Sequence, residues 1–180
     1  AALKIAEELT DLRGQGVDQG RLGALALTEG KLEDALTRGQ AALRMFQQHH
    51  EPEMEAAAWH QLGRVYHALR QPDQAERHYL EAARISEQRG HLAAAASTWN
   101  QLAVVAEGAG KLEAAEEWCR KALSVAQHLD PASQEIWQPY AILATIIDKK
   151  ARAAADDEQR TALDMQARDY RELQQRAPRV

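Results

Sequence analysis

Apolar and polar positions along this chain recur with a step of 40 residues. Ala2, Ala42, Ala82 and Ala122 align at that step, as do Ile5, Met45, Ile85 and Val125. So do Leu22, Leu62 and Leu102; Gly23, Gly63 and Ala103; Ala35, Ala75 and Ala115; and Trp59 with Trp99. Coincidences this numerous at one period mark a repeated structural unit. The pattern predicts paired helices over about 16–48, 52–89, 91–128 and 132–176. Residues 1–13 read as the tail of a second helix, because Ala2 and Ile5 stand where Ala82 and Ile85 stand later. The chain is therefore expected to open in mid-repeat, as a piece of a longer protein. Turn chemistry falls between the helices at Gly30-Lys31, Gln71-Pro72-Asp73, Gly108-Ala109-Gly110 and Asp130-Pro131. Asp130 suits a helix N-cap followed by proline at the first helical position. The final helix places Leu163, Ala167, Tyr170 and Leu173 on one face and Asp164, Arg168 and Glu172 on the other, as an outermost helix should.

The second copy reads Trp59-x-x-Leu62-Gly63-x-x-Tyr66, then Ala75-x-x-x-Tyr79 and Ala82. This resembles the tetratricopeptide-repeat consensus. The third copy keeps Trp99, Leu102, Ala103, Ala106, Ala115 and Ala122, with Cys119 where Tyr79 stood. The resemblance implies an all-α fold, a right-handed superhelix of about seven to eight antiparallel helices forming one domain over residues 1–180. It also implies that the small residues at Gly63, Ala75 and Ala82 let paired helices approach closely while large ones fill the gaps. The period exceeds the family's usual length of about 34. The interval from Trp59 to Ala82 is ordinary, so the extra residues lie between Ala82 and Trp99. Units of 40 residues are similar to those of kinesin light chains and G-protein-signalling modulators.

Composition agrees with helices. Ala, Leu, Glu, Gln and Arg dominate, all strong helix formers, and β-branched and aromatic residues are too few for a sheet. With 22 basic against 27 acidic residues and no basic block, nucleic acid is an unsuitable partner. No apolar run is long enough to span a bilayer, so a membrane is not expected either. Cys119 is the only cysteine, which excludes an intrachain disulfide and points to a reducing, cytoplasmic setting.

Two copies depart from the pattern. The first has Gln19 in place of tryptophan, Gly39 at the Tyr79 position, and Gly14, Gly16, Gly20 and Gly23 in its first helix. Each glycine costs up to about 1 kcal/mol in a helix interior, which marks this pair as the weakest. The fourth places Pro139 within its expected first helix, where it should remove a ladder hydrogen bond and bend the chain.

In the family resembled, the first helices of each pair line a concave face that takes extended peptides or helices. Carried over through Trp59 and Trp99, the resemblance points to Ala57, His60, Gln61, Arg64 and His67, and to Ser97, Asn100, Gln101, Val104 and Glu107. The fourth copy adds Trp137, Tyr140, Ala144, Ile147 and Asp148, and the first Gly20, Arg21, Ala24 and Leu27. Independently of the family, His60, Arg64 and His67 share one helical stripe, expected to be protonatable and cationic. The Asn100 and Gln101 amides could bond a peptide backbone. The expected ligand is a protein or peptide with a carboxylate or acidic residue beside a hydrophobic anchor. The clamp that binds chaperone C-termini is not matched, since His60, Arg64, Gln101, Trp137 and Ala141 occupy its positions.

No chemistry competes with binding. His60 and His67 are too far apart along a helix to share a metal, and there is no HExxH, so no cofactor or metal is expected. The Gly14–Gly20 run misses dinucleotide spacing, and Gly30-Lys31 and Gly110-Lys111 are followed by leucine rather than Ser/Thr. Glu113, Glu116 and Glu117 read as an exposed salted face, Cys119 as a core residue, and Trp118 as packing rather than a second contact site. A non-enzymatic binding scaffold follows. Two alternatives stand beside it: the C-terminal sensor arm of a larger signalling ATPase, regulator or protease, and self-association through the apolar face of residues 1–30.

Overall fold

The computed structural model describes residues 2–128 and 137–176, with side chains from residue 13 onward in the first stretch and from 138 in the second. The described residues hold eight α-helices and no strand: α1 (Ala2–Thr28), α2 (Leu32–Gln48), α3 (Pro52–Ala68), α4 (Pro72–Gln88), α5 (Leu92–Gly108), α6 (Leu112–Ala126), α7 (Trp137–Ala153) and α8 (Asp157–Arg176). They fall into two compact units, Ala1–Gly90 and His91–Val180. Repeat units pack on near neighbours and build no shared central core, which is why an array divides this way.

A 20-residue beat underlies the 40-residue period. Helices α2 to α5 are each 17 residues long. Left-handed residues follow at positions 30, 50, 70, 90 and 110, with φ of 74°, 53°, 59°, 73° and 75°. At four of them the next amide reaches back to a carbonyl in the last turn: Lys31 N–H to Ala26 O, Glu51 to Phe46, Gln71 to Tyr66 and Lys111 to Ala106, all between 2.8 and 3.0 Å. This closure satisfies carbonyls that a helix end leaves unpaired. Three of the five left-handed positions are glycine, but His50 and Arg70 carry a Cβ that this conformation disfavours. Arg70→Gly should therefore raise stability by about 0.5–1 kcal/mol. Urea unfolding checks this as a higher midpoint at unchanged slope.

In the first unit, α1 runs unbroken through residues 14–16, where the sequence suggested a boundary between two repeats. Glycine lowers helix propensity without removing a hydrogen bond, and no proline stands there to force a stop. Two of its glycines have packing reasons. A Cβ at Gly16 would come within 2.9 Å of Phe46, and one at Gly23 within 2.9 Å of Gln61 Nε2. Gly63 is tighter still, its Cβ position lying 2.6 Å from the Tyr79 ring, which is wholly buried. Ala42, Leu43, Phe46, Ala58 and Leu62 form the core between α2 and α3, and Ala26, Ala35 and Val65 continue it toward α1.

In the second unit, Ala103, Ala106, Ala115, Cys119, Leu143 and Ile146 make the core, with Trp118 and Tyr170 packed against it. Trp118 thus packs, as its position suggested. Pro139 lies on α7, close to the residues outside the described ones. It is fully buried, and its carbonyl accepts from Cys119 Sγ at 3.0 Å. Ala167 and, partly, Leu163 and Tyr170 face inward on α8, but Leu173 is 41% exposed. The Asp130-Pro131 cap lies outside the described residues.

Candidate partner-binding surface

On α3, His60, Gln61, Arg64 and His67 follow one another at one- to three-residue steps, held in place by Leu62 and Val65, which turn inward and are fully buried. Arg64 is exposed and has no hydrogen bond or ion pair among the described residues. His67 is half-buried in the last turn, where a basic group complements the helix dipole. His60 departs from the expected cationic stripe. Its ring stands edge-on to Tyr79 at 5.4 Å between centres, and burial, reinforced by the Arg64 charge, lowers its pKa to about 4. It is neutral at physiological pH, so Arg64 carries the charge there. Gln61 is engaged within the protein, its Nε2 donating to Gly20 O at 2.9 Å across to α1.

That hydrogen bond closes one side of an open hollow of about 230 Å³ between α1 and α3. Its lining includes Val17, Gly20, Ala24, Met54 and Ala57, with Phe46 from α2. Gly20, Ala24, Ala57 and Gln61 are among the positions carried over from the resemblance, and they come together here. The hollow exists because small residues face each other across the two helices; a Cβ on Gly20 would meet nothing within 4 Å. Arg21 is the one ionisable group in the lining, is exposed, and has no ion pair among the described residues.

A second aromatic group lies on the other side of α3. The His78 ring sits 5.0 Å from Trp59 and 4.5 Å from Tyr66, with Nδ1 2.7 Å from Gln74 O. Burial lowers its pKa, and the Gln74 carbonyl works against that shift.

In the second unit the predicted residues disperse. Gln101, Val104 and Glu107 are half-buried on α5, and Glu107 is held by Lys149 at 2.5 Å. Asn100 is only 3% exposed, with its Oδ1 unpartnered among the described residues, so its amide is not offered to a surface ligand. Tyr140 is 9% exposed and packs toward Tyr170, 6.4 Å between ring centres, which makes it part of the α7–α8 core. Ala144 and Ile147 are buried too, and Asp148 pairs with Arg171. The Trp137 side chain lies outside the described residues.

Glu116 corrects the expectation of a fully exposed acidic face. It is 7% exposed and held by Arg120 at 2.5 Å and Lys150 at 2.6 Å, tying α6 to α7, while Lys150 also reaches Glu113 at 3.2 Å. Sequence reading missed this pairing because Lys150 is 34 residues away. Lys121 Nζ lies over two indoles, 4.2 Å from the Trp99 ring centre and 5.6 Å from that of Trp118. The Cys119 thiol, buried, has its pKa pushed up to about 12 and is inert. Among the described residues no three His, Cys, Asp or Glu side chains converge as a metal would require. No helix among them is long and apolar enough to cross a membrane.

Helix pairs of this construction, closed by left-handed turns and packed through alanine and glycine, define a helical repeat scaffold. Two family models, each described as Tetratricopeptide repeat, match residues 17–88 and 96–128, together more than half of the chain. The chain belongs to the tetratricopeptide-repeat family, whose repeats generally mediate protein–protein interactions. No curated protein matches it in sequence.

Among solved structures it is similar to BtubC (BKLC) from P. vanneervenii, with TM-score 0.71 and 21% identity over 92% of this chain and 66% of that one. The chain thus spans slightly less than two thirds of that protein. It is also similar to a Podosopora anserina putative kinesin light chain with nearly identical TPR-like repeats, with TM-score 0.58 and 16% identity over 88% of this chain and 89% of that one. A point-substituted form of the latter gives TM-score 0.59 and 14% identity over 91% and 94%. These likenesses establish the fold as that of tetratricopeptide-repeat proteins.

Proposed function

We propose that the face carried by α1 and α3 binds an extended peptide or a helix of a partner protein. One observation carries the reading: Arg64, exposed and unpaired among the described residues, shares α3 with Ala57 and Gln61, which line an open hollow facing α1. A preformed apolar hollow with a cation on the same helix matches a ligand that brings a hydrophobic side chain and a carboxylate together. Gln101 and Val104, half-buried on α5, offer the corresponding helix face in the second unit. The single, buried cysteine fits work in the reducing cytoplasm.

Selection of a random-peptide display library against the protein tests this reading. Enriched peptides should bind the Arg64→Ala/His67→Ala variant about tenfold more weakly by calorimetry, with the helical circular dichroism unchanged. Equal affinity, or no enrichment at all, contradicts the reading. Self-association is the competing one, favoured by Leu22 and Leu25, which are 44% and 54% exposed on α1. Sedimentation separates the two, since peptide binding expects a monomer at every concentration.

A further inference from the structure

We infer that the α7–α8 hairpin is a releasable closure on the α5–α6 pair, locked by a clamp of two adjacent lysines, Lys149 and Lys150. The device lies wholly within the second unit and is independent of the α1–α3 face.

The clamp uses consecutive residues that reach different helices. Lys149 pairs with Glu107 on α5 at 2.5 Å, and Lys150 with Glu116 and Glu113 on α6 at 2.6 and 3.2 Å. One end of α7 is thereby tied to both members of the preceding pair. Glu107 and Glu116 are mostly shielded from water, so these ties are stronger than ion pairs on an open surface. Near the other end of α7 the tie is a weak one, the Cys119 thiol donating to the Pro139 carbonyl at 3.0 Å.

Between those ends the apolar joint is light. Helices α5 and α6 bring Ala103, Ala106, Ala115 and Cys119 to it, and α7 brings Leu143 and Ile146. Alanine and cysteine bury little area each, so charge carries an unusual share of the docking. The hairpin has ties of its own, Tyr140 against Tyr170 and Asp148 paired with Arg171. An element held firmly within itself and lightly to its neighbour opens as one body, at a lower free energy than global unfolding. Lys150 acts on that docking rather than on α6 itself, because Glu116 keeps Arg120 at 2.5 Å when Lys150 is removed.

Cys119 makes the opening measurable. It is fully buried, with its thiol directed at α7, so it is inert while the hairpin is docked and becomes reactive when α7 lifts.

Alkylation of native protein by iodoacetamide, an uncharged reagent, tests the inference, with the rate followed against urea. Opening of the hairpin alone gives a labelling rate whose urea dependence is much shallower than that of global unfolding. Lys149→Gln/Lys150→Gln should label about tenfold faster than wild type, and Lys149→Arg/Lys150→Arg, which keeps both charges, at about the wild-type rate. Hydrogen exchange of the α3 and α4 amides should be the same in all three proteins. Wild-type labelling that follows urea with the full slope of global unfolding overturns the inference, whether or not the glutamine variant folds. A folded glutamine variant that labels at the wild-type rate overturns it as well. An arginine variant as fast as the glutamine one, or faster exchange throughout α3 and α4 in the glutamine variant, would rule out a charge-based clamp.

Discussion

Gly63→Ala should destabilise the protein by about 2–3 kcal/mol, although alanine is the better helix former. Two effects compete. In an open helix interior the change would gain up to about 1 kcal/mol. Here the added methyl would sit 2.6 Å from Cδ1 and Cε1 of Tyr79 and 2.9 Å from its Cγ, against a comfortable carbon–carbon separation of about 3.5–4.0 Å. The ring has no route of retreat, being 0% exposed with the His60 imidazole packed edge-on against it. Overpacking of a closed site costs about 1–3 kcal/mol and occasionally more, so the clash wins. Gly14 supplies the control: its Cβ would meet nothing within 4 Å, and Gly14→Ala should stabilise by about 0.5–1 kcal/mol. Urea unfolding of both variants reads the two signs. A neutral or stabilising Gly63→Ala would mean that α3 and α4 are not as close as described.

The second large effect is on pH. His60 has a pKa lowered to about 4 by burial, against 6.5 in the unfolded chain. The unfolded state therefore binds a proton between those values that the folded state refuses, and stability falls with falling pH across that window. The contribution is complete above about pH 6.5, and roughly 2–3 kcal/mol of it should be gone by about pH 4.5. His78, also lowered by burial, acts in the same direction. Ordinary carboxylates titrate mostly below this window, so the slope there reports histidine. His60→Gln should flatten the dependence of unfolding free energy on pH between about 6.5 and 4.5, whatever it does to stability near neutral pH. A slope unchanged by that substitution would show that His60 is not buried as described.

The array was legible because its determinants are local and periodic. A 40-residue step in alanines, leucines and tryptophans is enough to place α3 to α6, since each helix packs mainly on neighbours close in sequence. What escaped depends on tertiary surroundings. The four glycines of α1 looked alike in sequence, yet Gly16 and Gly23 face Phe46 and Gln61 while Gly14 and Gly20 face open space. His60 and Arg64 share a stripe by spacing alone, but only the Tyr79 ring beside His60 reveals that one of them is neutral. Asn100 was read as a surface amide because helical position fixes direction, not depth. The hollow drew lining residues from carried-over positions, whereas Phe46 and Met54 needed the packing of three helices to reveal them.

Photo-crosslinking tests the central claim, that the α1–α3 face receives a partner peptide through an apolar anchor. A library-selected peptide would be synthesised with photo-leucine at its consensus apolar position, irradiated on the protein, and the adduct mapped by mass spectrometry. The account predicts crosslinks to Met54, Ala57 or Val17, which Ala24→Trp abolishes. Crosslinks confined to α4 or α6 and indifferent to that substitution would contradict it.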